Sequence, residues 1–145
     1  MNQHLRDELE ELLLVAAGAI PGALLRWQLE GAGMAWIGGL QGLVEADVVA
    51  NLLGSLLIGV VLGRPRPAAR LMLWGAIGFC GSLTTFASWM LQLVLALERG
   101  APLSALGMVL LSLLGGLTLV AAGRALGLRL ASHTRAAGRA RGAER

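Results

Sequence analysis

Long apolar runs separated by short charged segments dominate the chain. Four such runs cover approximately residues 12–28, 46–63, 71–97 and 102–126. A helix needs about 20 apolar residues to cross a bilayer, so each run is close to or above the required length. The pattern predicts an all-α membrane protein with four transmembrane helices in a single domain, residues 1–127.

The segments between these runs are polar or rich in turn residues. Residues 64–70 contain two prolines, which cannot continue a helix, and residues 98–102 form the next turn. Residues 128–145 are rich in arginine, and we expect a disordered cytoplasmic tail there. Residues 28–45 are rich in glycine, and the pattern leaves their fold open.

The third run has small and polar residues at its centre. Between Arg70 and Glu98 lie 27 uncharged residues, whose middle part contains Gly75, Gly78, Gly81, Ser82, Thr84 and Thr85. A span that only anchors a protein does not need such residues. We therefore expect a helix broken in mid-membrane, which is tolerated only where protein buries the backbone or where it lines a cavity or ion site. This favours transport over anchorage.

The composition supports a membrane protein and argues against other classes. Of the 145 residues, 56% are hydrophobic and 14% are charged, whereas a soluble domain has about a quarter of its residues charged. The single cysteine, Cys80, excludes a disulfide framework and a cysteine–histidine metal cluster. The spans have no carboxylate away from their edges, and no catalytic or phosphate-binding motif occurs, so we do not expect an enzyme.

The distribution of arginine predicts the orientation in the membrane. With four spans, both termini share one side with the turn at residues 64–70, and that side has nine arginines against Arg99 alone on the other. Cytoplasmic loops are the ones enriched in arginine. We predict a multi-pass protein of the cell membrane (inner or plasma) with both termini in the cytoplasm. The basic character then reflects topology, and we expect no nucleic-acid partner.

Two polar side chains in the first half of the chain are candidate functional residues. Asn51 lies within the second run, where an amide must find partners because the bilayer supplies none. It could join two helices without a ligand, or it could bind a transported species. Arg26 ends the first run, and it could reach the interface beside Trp27 or attract anions at a pore mouth.

A polar and aromatic stripe follows the Thr-Thr pair. Phe86 and Trp89 are three residues apart, as are Thr85 and Ser88, which places them at helical spacing. The rings could pack against lipid or another helix, or their electropositive edges could face an anion. In the fourth run, Ser112 could bond to its own helix or contribute to a pathway.

Three motifs, in this order, resemble the CrcB/Fluc fluoride channels, a family of small four-span bacterial proteins. The first run contains Gly22-Ala-Leu-Leu-Arg-Trp27, and the second contains Asn51-Leu-Leu-Gly-Ser55. The third contains Gly78-Phe-Cys-Gly-Ser-Leu-Thr-Thr-Phe-Ala-Ser-Trp89. The resemblance covers roughly residues 12–127. It implies a fluoride-specific channel that lets fluoride leave the cytoplasm passively and so limits its toxicity.

The resemblance also implies how the channel is assembled in the lipid bilayer. The family forms an antiparallel dimer of the dual-topology type. A structural Na⁺ ion, which is not transported, is expected at the dimer centre, held by the main-chain carbonyls of Gly81 and Thr84. General chemistry agrees, since hard cations take oxygen ligands and a helix break frees carbonyl groups.

A fluoride pathway follows from the same resemblance. Fluoride is small and strongly hydrated, so a narrow path must replace its water with donors. The family implies an amide donor, aromatic ring edges, hydroxyl groups and a vestibule arginine. In this sequence these are Asn51, Phe86, Trp89, Thr85, Ser88, Ser112 and Arg26.

Four positions depart from the family pattern, namely Ser82 for glycine, Ala87 for serine, Trp89 for phenylalanine and Gln92 for glutamate. The larger ring of Trp89 could narrow the path. The arginine bias also differs from what a chain that inserts both ways requires. We therefore hypothesise that this chain is the fixed-orientation half of a heterodimer with an oppositely oriented homologue, in place of a dimer with itself.

Two other functions remain open from the sequence. One is a non-conducting or partner-dependent subunit of such a channel, which Ala87 and Trp89 keep open. The other is a small multidrug transporter, which also has four spans and forms dimers. That class needs a carboxylate in the first span for proton exchange, and residues 12–25 contain none.

Overall fold

The computed structural model describes residues 2–31, 46–65 and 67–143, with side chains described as far as Ser132. Within these ranges every regular element is helical, in agreement with the predicted all-α class. We number the helices in chain order: α1 is Gln3–Gly31, α2 is Ala46–Leu62, α3 covers residues 69–83, α4 is Ala87–Glu98 and α5 covers residues 102–143.

Three helical stretches are long and apolar enough to cross a membrane. They are Gln3–Gly31, Ala69–Glu98, which contains α3 and α4, and Pro102–Ser132. Helix α2 is also apolar but has only 17 residues. Much of the surface is correspondingly apolar, and large side chains such as Leu103 and Leu117 are exposed. The chain is therefore built as a membrane protein.

Two helices contain π-helical segments. Met72–Cys80 forms most of α3, and Leu111–Gly115 forms a short part of α5. A π-helical turn adds a residue to the ring closed by each backbone hydrogen bond, and such turns occur frequently at functional sites. An apolar composition gives no sign of this change, and the sequence did not predict it.

Helix α1 packs closely against α3 through glycines. A side chain at Gly18 would overlap the backbone carbonyl of Trp74, and one at Gly22 would overlap that of Phe79. From the other side, a side chain at Gly78 would lie within 2.5 Å of the Val15 carbonyl oxygen. Small residues allow membrane helices to approach this closely, which gains dispersion energy and excludes lipid.

Helices α2 and α5 form a second glycine-lined pair. Gly59 of α2 and Gly63, the residue after its end, face the backbone of α5, and on α5, Gly123 and Gly127 face the backbone of α2. A methyl group at any of the four would overlap a carbonyl oxygen of the neighbouring helix. The spacing of four residues places each pair on one face of its helix. The fold therefore joins α1 with α3 and α2 with α5.

The turn between α4 and α5 has the sequence that its geometry requires. Gly100 has a φ of 71°, a left-handed conformation that glycine adopts without steric cost. The Gly100 and Ala101 amides donate to carbonyls in the last turn of α4, and Pro102 begins α5. The predicted turn over residues 98–102 lies between these two helix ends.

The C-terminal segment is described as helix, and the disordered tail expected there stays a prediction. The last helix continues without interruption to Ala143. Alanine, leucine and arginine are all strong helix formers, and they outnumber the glycines in this segment. The charge of the segment had indicated disorder, whereas its helix propensity matches the observed backbone. Residues 32–45 and Arg66, for which the sequence also gave expectations, lie outside the described residues.

Candidate functional site

The helical path is interrupted between α3 and α4. The Thr84 amide still donates to the Cys80 carbonyl at 3.0 Å, and the Thr84 hydroxyl donates to the same oxygen at 3.0 Å. The backbone then becomes extended at Thr84, with φ −79° and ψ 149°, and helix resumes at Ala87. Residues 84–86 form a short non-helical segment, called the break below.

Asn51 holds the break from a neighbouring helix. Its side-chain nitrogen donates to the Thr85 carbonyl at 2.9 Å, and its side-chain oxygen accepts from the Thr85 amide at 2.8 Å. The two bonds satisfy both backbone groups of a residue that has left the helix. An amide nitrogen has two N–H groups, so one N–H of Asn51 remains for a further acceptor. The structure thus uses Asn51 to join helices, and it also leaves a donor at the break.

Two carbonyl groups, one in the last turn of α3 and one in the break, accept none of the hydrogen bonds found at the turns and helix ends of the described residues. They belong to Gly81 and Thr84, the two residues expected to hold a sodium ion. Gly81 is exposed, and a side chain there would meet no atom within 4 Å. Unpaired carbonyl oxygens at a helix break are a donor set suited to a hard cation. The residues present therefore fit such an ion.

Ser82 connects the last turn of α3 to α1. Its hydroxyl lies 2.9 Å from the carbonyl oxygens of Ala19 and Gly78 and 3.1 Å from that of Phe79. The hydroxyl can donate to only one of them at a time, and a side chain at Gly22 would overlap it. The sequence identified Ser82 as one of the polar residues in the middle of the third run and as a departure from the family. Its contact with α1 could not be found from spacing, because 63 residues separate it from Ala19.

The aromatic and hydroxyl residues of the break and of the first turn of α4 contact one another in pairs. The ring centroids of Phe86 and Trp89 are 5.9 Å apart, with the planes tilted by 41°. The Thr85 hydroxyl donates to that of Ser88 at 3.3 Å. Phe86 is 71% exposed, so its ring lies on the surface of the single chain. The structure therefore brings four predicted pathway residues into one cluster with Asn51.

Three other buried polar atoms near these elements have no hydrogen-bond partner among the described residues. They are the Trp89 indole nitrogen, the Gln92 side-chain oxygen and the Ser112 hydroxyl. Thr118 contrasts with them, since its hydroxyl bonds to the carbonyls of Leu114 and Gly115 in its own helix. The Ser112 hydroxyl thus makes no hydrogen bond to a carbonyl of its own helix, which was one of the two alternatives for this residue. It lies in the π-helical part of α5 and makes no described hydrogen bond to the cluster.

The described ion pair of Arg26 lies within α1. Its side chain is half-buried and forms an ion pair with Glu30, one turn further along α1, with the Arg26 Nε atom 3.7 Å from Oε1. Both side chains are about a third or more exposed, so solvent screening makes the pair a weak contribution to stability. The described residues contain no group of three histidine, cysteine, aspartate or glutamate side chains that could hold a metal.

Comparison with known proteins gives the family. The family described as "CrcB-like protein, Camphor Resistance (CrcB)" matches residues 13–124, a range that contains all three motifs and the break. The chain belongs to this family. The resemblance inferred from the motifs is confirmed, and the CrcB family supplies the setting in which the cluster is interpreted.

Individual relatives in the CrcB family carry names that state an activity. A protein of Parasynechococcus marenigrum named fluoride-specific ion channel FluC 2 is 48% identical over 126 residues, 87% of each chain. A FluC of Pseudomonas syringae pv. maculicola is 36% identical over 119 residues, 79% of this chain and 91% of the relative. A FluC 1 of Prochlorococcus marinus is 33% identical over 111 residues, 77% of each chain. The family is one of ion channels, which are not enzymes.

Proposed function

We propose that this chain is a subunit of a fluoride-specific channel that lets fluoride leave the cytoplasm down its gradient. The relatives named as fluoride channels align with most of the chain, including the break and Asn51. The observation that supports the proposal most strongly is the Asn51–Thr85 pair, because it leaves an N–H donor beside the cluster of Phe86 and Trp89. Passive export of this kind lowers cytoplasmic fluoride and its toxicity.

The architecture we propose has four spans and an antiparallel dimer. Helix α2 is the fourth span, since its 17 residues cover about 25 Å and it packs along α5, which is long enough to cross. Helices α3 and α4 together form one span with the break at mid-membrane. The exposed positions of Gly81 and Phe86 favour a second subunit at this surface.

We also propose a structural sodium ion at the centre of the dimer. The Gly81 and Thr84 carbonyl oxygens would hold it, because they are unpaired in the described structure. When bound, the ion supplies a fixed positive charge that lowers the cost of an anion within the hydrocarbon. The chain itself fixes the position of these oxygens through the Thr84 bonds to Cys80 and the Asn51 bonds to Thr85.

The pathway we propose uses the cluster that Thr85, Phe86, Ser88 and Trp89 form with Asn51. Asn51 donates its remaining N–H, and the rings of Phe86 and Trp89 present electropositive edges. Hydroxyls of Thr85, Ser88 and Ser112 replace further water molecules of the ion, and Arg26 lies at the vestibule. Donors held by the backbone cost no reorganisation when a small, strongly hydrated anion enters.

A heterodimer is a second candidate for the assembly. Relatives named FluC 2 are 41% to 48% identical to this chain, whereas the FluC 1 of Prochlorococcus marinus is 33% identical. Two numbered forms in related organisms, together with nine arginines against one, favour a chain with a single orientation and an opposed homologue. The homologue would then complete the pathways that this chain begins.

Fluoride efflux from liposomes tests the channel. The full chain is reconstituted alone, and release is followed with a fluoride electrode against a chloride control. We expect fast fluoride release and no chloride release, and loss of release in Asn51→Ala. Thr118→Ala is the matched control, because its hydroxyl bonds only within its own helix.

The same experiment separates the two assemblies. Release from the chain alone supports a dimer with itself. Release only after an oppositely oriented homologue is added supports the heterodimer. No release in either case contradicts the channel and favours a non-conducting subunit, and chloride release as fast as that of fluoride contradicts the selectivity.

A further inference from the structure

We propose that the indole N–H of Trp89 is a direct hydrogen-bond donor to the permeating anion, so that Trp89 is a specificity-determining residue in this chain. The proposal rests on the proposed fluoride channel, and it names a contact that a phenylalanine at this position could not make. It follows from one unpaired atom, its neighbours and the chemistry of the indole group.

The first observation is the environment of the Trp89 nitrogen. The atom is buried within the single chain and has no hydrogen-bond partner among the described residues. An unpaired N–H in hydrocarbon is strongly unfavourable, because no water is there to accept from it. Buried polar groups of this kind normally have a partner that occupies the site at least part of the time.

The second observation is what surrounds the ring. Trp89 pairs with Phe86, the last residue of the break, at 5.9 Å between ring centroids. The Thr85 and Ser88 hydroxyls, which are bonded to each other, belong to the same segment. Thr85 is in turn held by Asn51. The unpaired donor therefore belongs to the cluster in which an anion would lose its water.

The chemistry of indole selects the kind of partner. The group donates one hydrogen bond and accepts none, so it favours an anion or the oxygen of water and offers nothing to a cation. A hydrogen bond to a charged acceptor is also stronger than the contact of a ring edge. Tryptophan at position 89 thus replaces the weak electrostatic contact of a phenylalanine ring edge with a directed hydrogen bond.

One internal competitor exists on the same helix. The Gln92 side-chain oxygen is also buried and unpaired among the described residues, and it lies three residues from Trp89, hence on the same face of α4. A rotamer change could let Trp89 donate to Gln92. That bond would satisfy both groups without an anion, so the experiment must separate the two partners.

Nuclear magnetic resonance of the ¹⁵N-labelled indole groups makes this separation. The full chain in detergent gives indole signals from four tryptophans, and Trp89→Phe identifies the signal of Trp89. We expect added sodium fluoride to move this signal downfield, and sodium chloride to leave it in place. If fluoride leaves the signal unmoved and Gln92→Leu moves it, the indole donates to Gln92 and the proposal is wrong.

Fluoride flux through the Trp89→Phe variant tests the same proposal by its effect on transport. The variant keeps a six-membered aromatic ring and loses the five-membered ring with its N–H, so we expect the half-saturating fluoride concentration to rise about tenfold. Trp74→Phe is the matched control, since Trp74 stacks on Phe79 in α3, outside the cluster. An unchanged half-saturating concentration in Trp89→Phe contradicts the proposal.

The two arms also distinguish failure of this proposal from failure of the channel. Fluoride efflux by the wild-type chain without a fluoride-dependent Trp89 signal overturns the role of Trp89 and leaves the channel intact. A fluoride-dependent signal without efflux supports the contact and contradicts conduction. Absence of both overturns both proposals.

Discussion

At the scale of single residues, the main finding is that one side chain serves two purposes at the break. Asn51 satisfies the amide and the carbonyl of Thr85, and it keeps one N–H free of those bonds. The stability of the non-helical segment and the availability of a donor are thus linked. A substitution at this position changes both, and the two effects can be measured separately.

We predict that Asn51→Ala lowers both flux and stability. The change leaves the Thr85 amide and carbonyl without partners, which costs about 2–4 kcal/mol for two partly buried backbone groups. Fluoride efflux should fall at least about tenfold, while the dimer persists because the glycine-lined helix contacts are unchanged. Efflux assays and thermal unfolding followed by circular dichroism check the two effects.

The matched control for this prediction is Thr118→Ala. Its hydroxyl is exposed and bonds only to carbonyls of the same helix, so efflux and unfolding temperature should stay near those of the wild type. Normal efflux in Asn51→Ala would remove Asn51 from the pathway. An unchanged unfolding temperature of Asn51→Ala would show that Asn51 does not stabilise the break.

The sequence predicted part of this site and missed part of it. Asn51 stood out because an amide within an apolar run must find partners. Its actual partner did not, because Thr85 is 34 positions away and only packing brings α2 to the break. The contact of Ser82 with Ala19 was likewise not predictable from sequence spacing. It depends on the absence of a side chain at Gly22. Residue type thus indicated that Asn51 needs partners, but only the fold shows which residues they are.

At the scale of elements, the interrupted segment from α3 to α4 is the distinctive part. The glycines and hydroxyls predicted irregular backbone in this run, and non-helical residues 84–86 lie between Leu83 and Ala87. The π-helical form of Met72–Cys80 was not predicted, since one extra residue per turn leaves no mark on composition. The lengths of the apolar runs thus predicted where the helices lie better than they predicted the internal geometry of any helix.

We predict that Gly81→Val disrupts assembly without disturbing the fold of the single chain. A side chain at Gly81 meets no atom within 4 Å in the chain, so intramolecular packing should tolerate valine. In an antiparallel dimer with sodium at its centre, the same side chain would displace the ion or the partner. Light scattering after size exclusion, with and without sodium, should show loss of the dimer.

Gly31→Val provides the control for the assembly prediction. Gly31 ends α1 and also has open space around it, so the substitution removes a glycine without blocking a neighbour. This variant should remain dimeric. A sodium-bound dimer of Gly81→Val would instead show that the Gly81 carbonyl is not part of the ion site.

At the scale of the whole molecule, the distribution of arginine predicts the direction in which the chain lies in the membrane. The arginines of the turn at residues 64–70 and of the C-terminal segment would lie on one side of the bilayer, opposite Arg99. Such an imbalance favours a single orientation. The consequence reaches beyond topology, because an antiparallel dimer of identical chains needs both orientations.

We predict that Ser132 lies in the cytoplasm and Ala101 outside it. Cysteines introduced singly at these positions can be labelled with a maleimide that does not cross membranes. In intact cells Ala101→Cys should be labelled and Ser132→Cys should not, and inverted vesicles should give the opposite result. The wild-type chain is the background control, because its Cys80 is buried.

Equal labelling of both cysteines from one side would contradict the single orientation. It would show that the chain inserts both ways in spite of its arginines, and the dimer with itself would then need no partner homologue. Single-sided labelling together with efflux that requires a homologue would establish the heterodimer.

The pairing of Asn51 with Thr85 has a further consequence for biosynthesis. A ribosome makes α2 before it makes the break, and 34 residues separate the two partners. When Thr85 leaves the translocon, the side chain that satisfies its amide and carbonyl has already been made. Because α2 is made first, a hydrogen-bond partner is available when the non-helical backbone enters the bilayer. We expect rearranged or circularly permuted versions of this chain to insert poorly.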